Sequence, residues 1–116
     1  MREVYFYQTW SGRSPAEQFI LSLTVRQRDK ILAALDAIER DEAVPAELFK
    51  KLPGTAGLWE VRVQHAGDAF RLLGFLDGPR LVVLVSGFTK KTQKLPAEEI
   101  AVAQDRRREY HRRKGT

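Results

Sequence analysis

Cysteine is missing from all 116 residues, which excludes disulfides and thiolate metal sites. Histidine is nearly so: His65 and His111 are the two present, far apart in sequence, and a zinc site is not expected from them. No window approaches the ~18 consecutive apolar residues of a membrane span. The N-terminus, MREVYFYQTW, lacks the apolar stretch and small-residue cleavage site of a signal peptide. There is no internal repeat, low-complexity tract or linker. What remains is 43% hydrophobic and 30% charged, the composition of a soluble globular protein. The length fits one domain over residues 1–116 with a single modest core. The expected location is the cytoplasm, and nothing implies a cofactor.

Charge is abundant but lopsided. Residues 1–88 hold 11 basic and 11 acidic side chains, and residues 89–116 hold 9 and 4, so the whole net charge of +5 lies in the last 28 residues. An excess at one end points to an anionic partner, a nucleic acid or an acidic protein.

Periodicity gives the elements. Residues 2–8, REVYFYQ, are aromatic and β-branched and read as a strand. Ser14-Pro15-Ala16-Glu17 has the form of a capping box with proline at the first helical position. Thr24 and Gln27 form a second candidate box. The helix after it carries Ile31, Leu32, Leu35 and Ile38 as an apolar stripe and should stop before Val44-Pro45. ELFKKLPGTAG reads as a connector with at most one helical turn. Strands at 58–64, 69–76 and 80–88 are joined by Ala66-Gly67-Asp68 and Asp77-Gly78-Pro79, which makes them an antiparallel meander. Pro96 with Glu98 and Glu99 opens a last helix. The order β-α-α-β-β-β-α gives an α+β fold: a small antiparallel-rich sheet, an N-terminal helical hairpin and a C-terminal helix, with helices mainly on one face. The pattern leaves open which strand lies beside the first.

Two arginines interrupt the apolar strands. Arg62 lies on one face with Leu58, Glu60 and Gln64, and Arg71 on one face with Leu73 and Phe75. An unpaired buried charge is costly, so each must meet a carboxylate or an external anion. Glu60 is the nearest partner for Arg62, and Asp68 a less obvious one for Arg71. Together, and beside Lys90, Lys91 and Lys94 in GFTKKTQKLPAEEI, they favour an anion site. Arginine clamps phosphate through a planar fork, and lysine can also carry a proton. Such a set suits RNA cleavage without a metal, which needs a base for the 2′-hydroxyl, cations for the phosphorane and an acid for the 5′ oxygen. The tail RRREYHRRK, which begins with Arg106 and Arg107, has three readings: a grip on a nucleic acid, a contact with an acidic partner, or a solvated helix end.

FKKLPG at 49–54, GLWEVRV at 57–63, FRLLGF at 70–75 and GFTKKTQKLPAEEIAVA at 87–103 resemble the RelE/ParE superfamily of bacterial toxins, and within it the HigB-type, phage-derived group. The resemblance covers nearly the whole chain. It implies a compact microbial-RNase-like toxin of a type II toxin–antitoxin system. Such a toxin is a ribosome-dependent, metal-independent endoribonuclease that cuts mRNA and inhibits translation, and its antitoxin partner is a helix-turn-helix protein. By position it assigns Arg62, Arg71, Lys90 and Lys91 to the scissile phosphate, and Lys50, Lys51 and Lys94 to the RNA backbone. Arg106 and Arg107 join the RNA-contact candidates. Which lysine is acid and which is base stays open. Some members use a C-terminal tyrosine or histidine; here Tyr110 and His111 stand nearby, Tyr110 spaced as a core residue, and His65 reads as a surface histidine. The superfamily also holds gyrase-binding toxins without nuclease chemistry, which is the alternative function, together with a decayed toxin that only binds.

Overall fold

The computed structural model describes residues 1–115. In chain order the elements are β1 (Glu3–Phe6), α1 (Pro15–Leu21), α2 (Val25–Arg40), β2 (Phe49–Lys51), β3 (Leu58–His65), β4 (Asp68–Asp77), β5 (Leu81–Lys90) and α3 (Ala97–Lys114). One five-stranded sheet runs β1-β5-β4-β3-β2. The α+β expectation holds, and the place of the first strand is settled: β1 is an edge strand, parallel to β5, while every other pairing is antiparallel. Among the described residues, no helix is long and apolar enough to cross a membrane.

The two capping boxes part ways. Thr24 Oγ1 accepts from the Gln27 N–H at 3.2 Å and the Gln27 side chain accepts from the Thr24 N–H at 3.0 Å, so α2 starts as its sequence predicts. Ser14 makes no cap hydrogen bond; its buried hydroxyl lacks a protein partner, and α1 begins on Pro15 alone. The stripe of α2 buries Ile31, Leu35 and Ile38, but Leu32 is turned to solvent. The helix stops at Arg40, where the Arg2 guanidinium donates to the carbonyls of Ile38, Asp41 and Glu42.

The connector departs from expectation. FKK forms β2, because Phe49 pairs opposite Val61, is buried, and stacks on Trp59 at 4.7 Å between centroids. Three residues carry no readable period, so a contact across the sheet decides what local pattern cannot.

Each sheet face has its own core. Ile20, Ile31, Leu35 and Ile38 of the helical hairpin pack on Val61, Val63, Phe70 and Leu72. Leu58, Leu73, Phe75 and Val83 form the other core, which α3 covers through Ala103, Ile100 and Tyr110. Helices mainly on one face is thus right for α1 and α2, while α3 lies on the other. The strands' period of two feeds both layers, and α3, with Ala103 its one buried residue, announces its side only faintly.

Two backbone features shape the site's borders. Ala66 and Gly67 both take positive φ, 51° and 86°, the two-residue turn that matches strand twist, and this ends β3 at His65. The β4–β5 register shifts at Leu73/Gly74. A Cβ on Gly74 would stand 2.1 Å from the Val83 carbonyl oxygen, so only glycine permits this approach.

Candidate anion-binding cleft

The hairpin register sets the site. Arg62 on β3 lies directly opposite Arg71 on β4, and opposed residues point to one face. Glu60, two positions before Arg62, shares that face. It is 4% exposed, and its carboxylate reaches both guanidinium groups: Oε2 lies 3.3 Å from Arg71 Nε and Oε1 3.6 Å from Arg62 Nε. Asp68, the partner considered for Arg71, is not the one used. Arg71 is as buried as Glu60, and its Nη1 donates to the Phe70 carbonyl at 3.0 Å. Its Nε, though near the carboxylate, is not aligned for a hydrogen bond. Burial pushes the Arg71 guanidinium below its ordinary value; Glu60 opposes that and Arg62 adds to it. One carboxylate therefore holds two arginines together and only partly neutralises them.

The end of β5 forms the opposite wall. Lys90 pairs across from Ala69, two residues before Arg71, and the chain turns after it, where the Thr92 hydroxyl donates to the Lys94 carbonyl at 2.7 Å. Arg62, Arg71, Lys90 and Lys91 line one open concavity of about 550 Å³, with Gln64 and Gln93 also on its wall. A smaller lobe of about 240 Å³ continues past Arg62 and Arg71 to Glu47. All four residues expected at a scissile phosphate are brought together.

The backbone-contact candidates scatter. Lys50 pairs opposite Glu60 and so shares the face of the arginines, whereas Lys51 pairs opposite Trp59 and lies on the other face. Lys94 is exposed on the loop that leads to α3, outside the cleft lining. Arg106 is half-buried and partly committed to the fold: its Nη1 donates to the Val85 carbonyl at 2.9 Å and the Ser86 hydroxyl at 2.8 Å, tying α3 to β5, and burial lowers its pKa. Arg107 lies over the Phe75 ring at 5.5 Å and beside Gly57. Tyr110 donates to Asp77 Oδ2 at 2.7 Å, at the far end of β4 from Arg71, and packs edge-on to Phe75, in keeping with its core spacing. His111 also packs near Phe75. His65 sits at the hairpin turn opposite Asp68.

Glu47 and Gln64 were not singled out by their sequence. Gln64 shares a strand face with Arg62, a signal that was visible; Glu47 stands in the connector, which had no pattern to place it. Among the described residues, no group of three or more His, Cys, Asp or Glu side chains is arranged to hold a metal.

Residues 18–108, which span most of the helical hairpin, the whole cleft and most of α3, match the protein family described as Phage derived protein Gp49-like (DUF891). The chain belongs to this family. The match takes in each cation of the Gp49-like cleft as well as Glu47, Glu60 and Gln64. No curated protein matches the chain.

Proposed function

We propose that this Gp49-like protein is a toxin of the RelE/HigB type that cleaves mRNA on the ribosome without a metal. Its partner is then a helix-turn-helix antitoxin, and its place of action the cytoplasm. Membership of a phage-derived family associated with toxins of toxin–antitoxin systems supports this reading. The observation that carries it is the convergence of Arg62, Arg71, Lys90 and Lys91 on one concavity, since cations grouped about a point suit a phosphate whose charge grows in the transition state.

The chemistry assigns parts. The 2′ oxygen attacks phosphorus and the bond from phosphorus to the 5′ oxygen breaks, leaving a 2′,3′-cyclic phosphate and a 5′-hydroxyl. Arg62 and Arg71 hold the phosphate oxygens. A carboxylate is unprotonated at neutral pH and can take the 2′ proton, whereas a lysine ammonium has one to give. That makes Glu47 the acceptor and Lys90 or Lys91 the donor to the 5′ oxygen, which removes the need for two lysines in opposite roles.

One observation favours a second reading. Glu60 already answers much of the charge of Arg62 and Arg71, as it would in a toxin that binds its target, gyrase or another, without cutting.

Brief expression of the protein alone, followed by mapping of mRNA 5′ ends, separates the two. Discrete cuts inside translated frames are expected, and the Lys90→Ala/Lys91→Ala double variant should abolish them while its thermal unfolding stays unchanged. Growth arrest without cuts would refute cleavage and leave the binder.

A further inference from the structure

Past Arg62 the outer edge of β3 is uncovered. β2 ends its pairing at Phe49 opposite Val61, and the Leu48 carbonyl accepts the Arg62 N–H at 2.8 Å. Backbone groups alternate in direction along a strand, so the N–H and C=O of Gln64 point to the same side as those of Arg62, where no strand follows. α2 passes alongside with small residues, Ala33 and Ala34. With Leu48 and Val63 they wall a groove of about 310 Å³ that has Lys30 on its rim. The groove shares Arg62 and Gln64 with the cationic concavity, so a strand of nucleic acid anchored in one can continue into the other.

We propose that this groove is a nucleobase subsite, holding the base next to the phosphate bound at Arg62 and Arg71. The proposal rests on the RNA reading above. Three features fit a base. The walls are apolar, as the flat faces of a base require. The Gln64 backbone and side-chain amide offer both donors and acceptors to its edge. Lys30 lines the same groove and supplies a cation for a flanking phosphate. The open edge is also short: Gln64 and His65 are followed at once by the Ala66-Gly67 turn, too little for the ladder of an added peptide strand, but enough for one heterocycle.

The test uses a 2′-deoxy trinucleotide, which cannot be cleaved, and three analogues that each lack one base, with binding read by calorimetry. Removing the base beside the bound phosphate should weaken binding about tenfold, and removing a distant base should change it little. Ala33→Leu, on the exposed face of α2, and Ala34→Leu should lower the intact oligonucleotide to the affinity of that analogue while leaving inorganic phosphate binding unchanged. Equal binding of intact and abasic forms by the unaltered protein would overturn the subsite and leave the anion cleft standing. Discrimination that persists in both leucine variants would place the base elsewhere and also overturn it. Failure of every oligonucleotide and of inorganic phosphate to bind would remove the RNA reading itself, and the subsite with it.

Discussion

Arg71 is a permanent cation that is 4% exposed, and the carboxylate nearest to it, Glu60, is divided between two guanidinium groups. This arrangement changes what a substitution reports. Arg71→Ala, the natural first choice for removing cleft charge, also leaves Glu60 buried beside Arg62 alone, so it loosens the fold as well as the site. Glu60→Gln is the sharper probe. It should destabilise the protein by about 2 kcal/mol in urea unfolding, less than the ~3–5 of a fully enclosed pair, because one side of Arg71 opens on the cleft. It should also strengthen inorganic phosphate binding on the order of tenfold, because the anion then meets two cations whose internal counter-charge is gone. Weaker phosphate binding in Glu60→Gln would mean that Glu60 acts by positioning the arginines rather than by offsetting them. The pairing of these three residues was half legible: period two put Glu60 and Arg62 on one face, but the facing of Arg62 and Arg71 depends on a hairpin register fixed by positive φ at Ala66, which no residue type at that position announces.

Among the elements, legibility followed length. The long strands and α2, with sustained periods, stand where the sequence puts them. β2, at three residues, and the side taken by α3 do not show, because one is made by a cross-sheet aromatic stack and the other is held by polar anchors rather than an apolar stripe. Those anchors are Arg106 on β5, and Tyr110 with Lys114 on Asp77, where Lys114 Nζ lies 2.6 Å from Oδ2. They give α3 a defined response to pH. The hydrogen bonds from Lys114 and then Tyr110 hold the Asp77 carboxyl below its ordinary value, so its contribution is whole above about pH 4 and fades as pH falls through the lowered value. Burial and then the bond to Asp77 push Tyr110 up to about 12, so its contribution is whole below about pH 10 and is lost as pH rises through 12. Tyr110→Phe should remove a late phenol transition near pH 12 from an ultraviolet titration and cost about 1 kcal/mol at pH 7. Loss of a phenol titrating at about pH 10 instead would show that Tyr110 does not make this bond in solution.

Over the whole molecule, the excess of charge at the C-terminal end reads as a basic tail, yet the fold commits much of it internally. Arg106 ties α3 to β5, Arg107 lies over Phe75, Arg108 pairs with Asp105, Arg113 with Glu109 and Lys114 with Asp77. The helix runs to Lys114 and ends on Gly115 in the left-handed region. Charge counted by residue therefore overstates what α3 has free for an anion, while Lys90 and Lys91 of the same C-terminal stretch converge with Arg62 and Arg71 at the cleft. Salt dependence can separate the two. Single-stranded nucleic acid releases about 0.7 counterion per phosphate neutralised. With Arg71 partly offset by Glu60, about three phosphate contacts give a log–log slope near −2 for a short 2′-deoxy oligonucleotide. Lys90→Ala/Lys91→Ala should flatten that slope by about 1.4, two contacts' worth. Arg108→Ala/Arg112→Ala, on the exposed side of α3, should leave it nearly unchanged. The reverse ranking would return the nucleic-acid contact to α3 and leave the cleft as an internally balanced ion-pair network.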